Sequence, residues 1–381
     1  MHLKDYFMNS KLQEKIRFVL VARSFHAMAG GVERMAISIM NEMIARGHDV
    51  TLITWDYKNA KTFYPMDPQI KWIKLDLGSP QEKSGWLVRY RRALIFRKTI
   101  KKFTPQVILA FQHGIFLATY FYLFGMNIPI IASERNAPSR FNFIASGKNK
   151  EFVFQSLRLA TGITVQFSRY IEGYPEFLRG KIHVIHNSVL PQEINRPSKR
   201  ERKILLSVGR LSFQKNFLVL IRAFSALASK YPNWDLVIVG EGEQKDLISQ
   251  EIIKHNMSKR VIIRQPVSNI ESEFRKADIF CLASFWEGFP NALAEALSFG
   301  IPSVGFANCS GVCDLIINES NGLLAEGLGN ADSLKGSLRK LMQDKDLRIK
   351  MSKNAHSSIR KYNPKEVFDN WEQYLLKVSR K

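Results

Sequence analysis

The feature that most constrains the fold of this chain is a regular alternation of short aliphatic stretches with amphipathic helical stretches. Stretches rich in valine and isoleucine that are separated by helices are typical of parallel strands in βαβ units. They fall at residues 16–22, 49–55, 70–75, 106–111, 129–133, 162–166 and 181–185, and again at 203–209, 235–240, 260–265, 278–284 and 302–306. The alternation therefore predicts an α/β protein with parallel sheets.

The alternation restarts in the middle of the chain, which indicates two domains. At 381 residues the chain exceeds the roughly 250–300 residues at which a single hydrophobic core stops growing. Residues 187–202 carry two prolines and a run of charge without hydrophobic periodicity, so they are predicted to be a linker. We predict two Rossmann-like, doubly wound domains, residues 1–187 and 188–363, that face each other across a cleft and bind ligands at the carboxyl ends of their strands.

Two stretches bear on secretion and membrane insertion. Residues 103–133 contain no Asp, Glu, Lys or Arg and are long enough to span a membrane. Prolines and glycines divide them, however, and predict a buried strand, a helix and a second strand instead. The polar N-terminus and the short apolar run after it do not resemble a signal peptide, so secretion is not expected.

The charge balance indicates an anionic partner. Lys and Arg number 56 against 34 Asp and Glu, a net charge of +22, which suits phosphate-bearing ligands, nucleic acid or an anionic membrane surface. The three cysteines form no CxxC pair and have no histidines at ligand spacing, which favours buried free thiols over disulfides or zinc. Asp344 and Asp346 form an Asp-x-Asp, but they precede a late helix, and we interpret them as its cap.

Two glycine-containing or basic loops carry candidate site residues. Gly30 and Gly31 open a helix after the first strand, where backbone amides favour anions. Arg210 and Lys215, in VGRLSFQKN, follow the first strand of the second half and together suit a diphosphate. Each loop alone has an ordinary structural explanation, because tight turns use glycine and surface loops often carry cations.

The stretch FWEGFPNALAEALSFGIP, residues 285–302, supplies two acids. Glu287 lies in the loop after a strand, and Glu295 lies in the first turns of the helix that begins after Pro290. A solvated loop acid and a helix-dipole acid are the simpler explanations for either residue alone. Their occurrence together with the glycine and Arg-x4-Lys loops, in the expected order after the expected strands, favours a ligand site.

These motifs together resemble glycosyltransferase family 4, retaining enzymes of the GT-B fold. The resemblance runs from about residue 16 to the C-terminus and implies a nucleotide-sugar donor, expected to be a UDP-sugar, held mainly by the second domain. Arg210 and Lys215 would bind its diphosphate, Glu295 its ribose and Glu287 its sugar. Gly30 and Gly31 are included in the donor site. The resemblance also places the amides of Phe289, Asn291, Ala292 and Leu293 at the phosphate or sugar, and the backbone near Arg264 and Val267 at the base. It implies that a last helix, within residues 364–381, packs back on the first domain.

The resemblance extends to catalysis. His113, in AFQHG, matches a cleft histidine near the anomeric centre, although a lone histidine in an apolar strand is more often a core residue. The implied mechanism uses Arg210, Lys215 and amides to stabilise the leaving diphosphate, so no metal or other cofactor is expected.

Acceptor recognition is expected in the first domain. The sequence SERN, with Glu134, Arg135 and Asn136, resembles the form found in members that extend lipid-linked saccharides, although such residues can equally cap the next element. A basic, aromatic helix near residues 86–103 carries Trp86 and a face with Arg91, Lys98 and Lys102. This pattern favours contact with an anionic membrane over a merely solvated basic face.

The sequence thus predicts a retaining transferase of a hexose or N-acetylhexosamine that acts on a lipid-linked saccharide at the inner face of a bacterial cytoplasmic membrane. Another GT-B enzyme, such as an epimerase or a phosphorylase-like enzyme, is an alternative on the fold alone. A basic nucleic-acid-binding protein is a second alternative, but the chain has no recognisable motif or basic tail of that kind. Nucleic acid is therefore not expected as a partner.

Overall fold

The computed structural model describes residues 14–28, 30–80, 82, 84–143, 149–193, 201–267 and 269–381. Within these residues the strands form two parallel sheets, of seven and six strands. The first sheet contains β1 (Arg17–Ala22), β2 (Asp49–Thr54), β3 (Lys71–Lys74), β4 (Val107–Phe111), β5 (Ile130–Ser133), β6 (Gly162–Val165) and β7 (Ile182–Val184). The second contains β8 (Lys203–Val208), β9 (Trp234–Val239), β10 (Val261–Arg264), β11 (Ile279–Leu282), β12 (Ser303–Phe306) and β13 (Gly322–Ala325).

Both sheets are doubly wound. Their strand orders are β3-β2-β1-β4-β5-β6-β7 and β10-β9-β8-β11-β12-β13. The order reverses beside β1 in the first sheet and beside β8 in the second, and a crevice opens at such a reversal. The loops that follow β1, β4, β8 and β11 therefore converge where ligands are expected to bind.

Helices cover both faces of each sheet. Those of the first half are α1 (Gly31–Ala45), α2 (Trp86–Phe103), α3 (His113–Tyr122), α4 (Lys150–Leu157) and α5 (Glu176–Arg179). Those that follow are α6 (Phe217–Ala228), α7 (Lys245–Lys254), α8 (Glu271–Lys276), α9 (Asn291–Ser298), α10 (Val312–Leu315), α11 (Ala331–Gln343), α12 (Lys345–Ser358) and α13 (Pro364–Ser379). The central strands are buried on both sides, which is why they read as nearly continuous aliphatic runs.

The uncharged stretch at residues 103–133 folds as predicted. It forms β4, α3 and β5 inside the first half, with Phe116 fully buried against the sheet. No helix among the described residues is both long enough and apolar enough to cross a bilayer. The prediction of a buried strand, helix and strand is confirmed.

The last helix, α13, packs on the first sheet. Trp371 is fully buried in the same apolar cluster as β1, β2 and α1. Its neighbour Glu372 accepts from the ring nitrogen Nε2 of His48 at 2.7 Å and pairs with Arg46 at 2.6 Å. These bonds attach α13 to the end of α1. The chain thus crosses between the two halves twice, and the crossings are joined where the Val189 amide donates to the Tyr362 carbonyl at 2.8 Å.

Other expectations have clear outcomes. Twelve predicted strands are present, whereas β13 was not predicted, because its sequence GLLA is short and has no β-branched residue. All three cysteines are free thiols, as predicted; Cys281 and Cys309 are buried, whereas Cys313 is only partly buried. Asp344 caps α12 by accepting from the Leu347 amide, which confirms its structural role. Of the predicted linker, residues 194–200 lie outside the described residues; the domain boundary at 187/188 falls between β7 and β8 and stays a prediction.

Candidate active site

A buried ion pair lies at the centre of the candidate site. Lys215 ends a short 3-10 helix after β8, and Glu287 lies in the loop between β11 and α9. Lys215 Nζ is 2.6 Å from Glu287 Oε1, and the hydroxyl of Ser284 donates to the same oxygen at 2.6 Å. The side chains are only 16% and 7% exposed, so the pair is largely shielded from water. This arrangement fixes a carboxylate and a cation side by side at the start of α9.

Arg210 lies in the same loop after β8 as Lys215 and is exposed. It makes no hydrogen bond or ion pair with another residue that the structure describes, so its guanidinium is available to a ligand. Glu33, in the first turn of α1, faces it from the other half of the molecule. Burial raises the pKa of Glu33, while the Arg210 charge acts in the opposite direction.

The glycine loop is closely packed in this structure. A β-carbon on Gly30 would collide with the carboxylate of Glu33, and one on Gly31 would collide with the amide of Asn291 on α9. Both approaching groups are the ends of flexible side chains that can shift, so this crowding alone does not require glycine at these positions. The predicted role of these two glycines toward a phosphate stays a prediction.

Helix α9 contacts the first half with both polar side chains of its cleft face. Asn291 accepts from the side-chain amide of Asn187 at 2.9 Å. Glu295, one turn further, forms an ion pair with Arg34 of α1. The two halves therefore meet at the helix that was predicted to bind the donor.

His113 is the first residue of α3, directly beyond β4. Its Nε2 is 2.6 Å from the hydroxyl of Ser156, which donates its own proton to the Val153 carbonyl at 2.8 Å. Because that hydroxyl has only one proton, His113 Nε2 is the donor between them. Burial, assisted by the charge of Arg140, lowers the pKa of His113 to about 4. The ring is therefore neutral near pH 7, with Nδ1 as its unprotonated nitrogen.

The SERN residues are more buried than the sequence indicated. Glu134 is 3% and Arg135 6% exposed, whereas Asn136 is partly exposed. Arg135 donates to the side-chain oxygen of Asn187, has no carboxylate partner among the described residues, and lies 5.3 Å from the centre of the Phe111 ring. Burial lowers the pKa of Arg135 to about 10. Glu134 and Arg135 thus lie behind the surface of the cleft, and their proposed acceptor role stays a prediction.

The remaining predicted donor residues fall into two groups. Arg264 ends β10 and pairs with Glu273 at 2.6 Å, and Val267 beyond it is 40% exposed. Phe289 is buried, with its ring stacked 5.3 Å from that of Phe167 in the first half. Ala292 is partly buried and Leu293 fully buried, so only their backbone amides could reach a ligand.

Four residues of the site were missed by sequence reasoning. They are Glu33, Arg34, Asn187 and Ser284. Ser284 lies just beyond β11 and three residues before Glu287, a position that could have been recognised. Arg34 and Asn187 contact α9 only through the fold, and nothing in their local sequence indicates these contacts.

Comparisons with known proteins identify the class of molecule. The model for glycosyltransferase family 4 matches residues 29–193, and the model for glycosyl transferases group 1 matches residues 191–358. The two matches follow one another along the chain and correspond to its two sheets. The chain belongs to glycosyltransferase family 4.

Similar proteins cover all or part of the chain. An uncharacterized glycosyltransferase of Haemophilus influenzae is 28% identical over 91% of this chain and 96% of its own length. A Campylobacter jejuni GalNAc-α-(1→4)-GalNAc-α-(1→3)-diNAcBac-PP-undecaprenol α-1,4-N-acetyl-D-galactosaminyltransferase is 23% identical over 96% of this chain and 99% of its own. An Escherichia coli UDP-Gal:α-D-GlcNAc-diphosphoundecaprenol α-1,3-galactosyltransferase is 37% identical over 42% of each chain.

Solved structures establish the architecture. Sucrose-phosphate synthase from Thermosynechococcus elongatus superposes with a TM-score of 0.82 at 15% identity, over 95% of this chain and 99% of the other. Anabaena HepE in complex with UDP and glucose superposes with a TM-score of 0.77 at 16% identity, over 95% and 99% of the two chains. The predicted GT-B fold is confirmed.

Proposed function

We propose that this glycosyltransferase transfers a hexose or N-acetylhexosamine from a UDP-sugar to a lipid-linked saccharide, with retention of anomeric configuration. The observation that carries the proposal is the Lys215–Glu287 pair at the start of α9, with the exposed Arg210 in the same loop as Lys215 and His113 in the facing half. The names of the Campylobacter and Escherichia relatives specify undecaprenol-linked saccharides, which supports this acceptor class.

The donor diphosphate is assigned to Arg210 and Lys215. As the bond to the sugar breaks, negative charge develops on the leaving phosphate, and a fixed cation in a site shielded from water stabilises it strongly. Lys215 is held in place by Glu287, so its position is set before the donor arrives. We propose that these two cations are sufficient and that no metal is required.

Glu287 and His113 are assigned to the transferred sugar. Glu287 Oε1 is already used by Lys215 and Ser284, which leaves Oε2 to accept from a sugar hydroxyl. His113, neutral near pH 7, has Nδ1 as an acceptor. Both groups can orient a sugar without adding net charge at its anomeric carbon, and Glu295 is assigned to the ribose hydroxyls.

The membrane-contacting surface is assigned to α2. Seven basic and no acidic residues lie between Trp86 and Phe103. Trp86, Tyr90 and Leu94 are 75%, 59% and 51% exposed. Exposed aromatic residues beside cations suit the interface of an anionic membrane.

The neighbouring helix α3 extends this apolar surface. Phe121 on α3 and Phe124 just beyond it are 60% and 69% exposed, and Arg97 of α2 donates to the Phe124 carbonyl at 2.9 Å. Arg92, by contrast, is buried and bonded to the Leu77 carbonyl, so it does not belong to the exposed face. We propose that this surface holds the enzyme at the inner face of the cytoplasmic membrane, close to its acceptor.

The proposed reaction is tested with purified protein, a panel of UDP-, GDP- and ADP-sugars with EDTA, and a synthetic diphospholipid carrying one N-acetylhexosamine. Transfer from a UDP-sugar to give an α-linked product, identified by NMR, would support the proposal. Glu287→Ala should lose transfer. Hydrolysis or epimerisation of the donor sugar without transfer would contradict the proposed function.

The proposed surface is tested by co-sedimentation with liposomes of phosphatidylglycerol and phosphatidylcholine. Replacing Arg91, Lys98 and Lys102 with glutamine should lower binding roughly tenfold or more, because each basic residue near an anionic leaflet contributes about 1 kcal/mol. The matched control replaces Arg339, Lys340 and Lys350, which are exposed on the second half. If both variants lose liposome binding equally, the loss comes from net charge alone and not from the surface on α2.

A further inference from the structure

The first turn of α1 occupies the side of α9 that faces the cleft. Arg34 is paired with Glu295, and Gly31 lies against Asn291, one helical turn away on the same side of α9. Asn187 contacts Asn291 as well. In this structure the first half of the molecule therefore uses both polar side chains that α9 presents to the cleft.

This arrangement conflicts with the role proposed for Glu295. Two neighbouring ribose hydroxyls are best accepted by the two oxygens of one carboxylate, and the guanidinium of Arg34 is already on Oε1. The Arg34 and Glu295 side chains are 38% and 23% exposed, so the pair is open enough to exchange partners. A ligand that needs both carboxylate oxygens must displace Arg34.

We propose that Arg34 is an intramolecular competitor of the donor, holding Glu295 in the ligand-free protein and leaving it when the ribose binds. This inference rests on the proposed function, because it takes Glu295 as the ribose-binding group. Arg34 is then a determinant of donor affinity that acts through Glu295 rather than by touching the reacting atoms. Because its release breaks a bond between the halves, donor binding and the contact of α1 with α9 oppose one another.

The proposal predicts an effect of unusual sign. Removing a cation from a cleft that binds a diphosphate should weaken binding on simple electrostatic grounds. If Arg34 competes at Glu295, its removal should instead strengthen binding. A partly exposed ion pair is weak, so we expect Arg34→Gln to lower the dissociation constant of UDP about two- to fivefold.

Titration calorimetry at fixed ionic strength measures this effect with the full chain. Arg34→Lys, which keeps the charge, should lie between wild type and Arg34→Gln. In a Glu295→Gln background the gain should disappear, because no carboxylate remains to be held. A 2′,3′-dideoxy UDP analogue should show no gain in Arg34→Gln, because it has no ribose hydroxyls to compete with Arg34.

A matched control is available in Arg169, which also forms an ion pair between the halves, at 3.6 Å from Asp314. Arg169→Gln should leave UDP affinity unchanged. UDP affinity that is unchanged or weaker in Arg34→Gln overturns the competition while leaving the donor site standing. If neither wild type nor Arg34→Gln binds UDP, GDP or ADP, the proposed donor is wrong, and the competition is overturned with it.

Discussion

Replacing Lys215 with methionine tests how the candidate site is held together. Methionine retains most of the stem that packs against Gly209 and removes the ammonium group. Removing one partner of a buried ion pair costs about 3–5 kcal/mol. Here the Ser284 hydroxyl still donates to Glu287, and Lys215 is 16% exposed. We therefore expect the free energy of unfolding to fall by about 2–3 kcal/mol at pH 7.5, less than the full cost of an isolated buried charge.

The loss should come from the charge left on Glu287. Without Lys215, the buried carboxylate keeps the Ser284 hydroxyl as a donor but loses its cation. Adding Glu287→Gln to Lys215→Met should recover most of the deficit at pH 7.5.

Urea unfolding followed by circular dichroism at pH 7.5 measures these differences. A double variant no more stable than Lys215→Met would refute the reasoning. It would mean that the lysine stabilises the loop by packing rather than by charge. Lys215→Met alone and Glu287→Gln alone should each also lose transfer activity. The two variants thus share a catalytic effect although their effects on stability differ.

Three further predictions concern other parts of the molecule. The pKa of His113 is lowered to about 4, so its contribution to stability is present above pH 6.5 and is lost as pH falls. In urea unfolding, the stability advantage of wild type over His113→Gln should shrink by about 2–3 kcal/mol between pH 7.5 and pH 4.5. A constant difference would contradict the assignment. Trp371→Ala should lower the free energy of unfolding by about 3–5 kcal/mol, because it empties a fully buried site beneath α13; an unchanged midpoint in urea would show that α13 is not docked. A β-carbon on Gly288 would collide with the Arg135 carbonyl, whereas one on Gly180 would meet nothing within 4 Å. Gly288→Ala should therefore lower the rate of transfer at least tenfold, and Gly180→Ala should leave it unchanged. Product formation at saturating donor measures both rates.

The fold could be predicted largely from the sequence because each strand of a parallel sheet buried on both faces is a local apolar run. The strand that escaped, β13, is the one whose sequence has no β-branched residue. The candidate site could be predicted only as a set of loops in the right order. Its pairings depend on contacts between distant residues, such as Lys215 with Glu287 and Arg34 with Glu295, which only the folded topology specifies.

Burial was the property that the sequence indicated least well. Glu134 and Arg135 follow a strand as charged residues and were expected at the cleft, yet both are buried. Two contacts explain this burial: Gly288 of the second half lies against the Arg135 backbone, and Asn187 of the first half binds the Arg135 side chain. Local patterns predict which side of a strand or helix is apolar, but not which polar residue a second domain will cover.

The two crossings of the chain between the halves restrict how the molecule can open. A single covalent connection would let the halves twist and swing in several directions. Here the chain near Val189 lies beside the chain near Tyr362, and the bond from the Val189 amide to the Tyr362 carbonyl joins them. Two chain segments fixed beside one another define a hinge axis, which leaves one low-energy rotation. The two halves therefore rotate about the same axis for every substrate that enters the cleft. The edge of the cleft farthest from this axis moves the greatest distance.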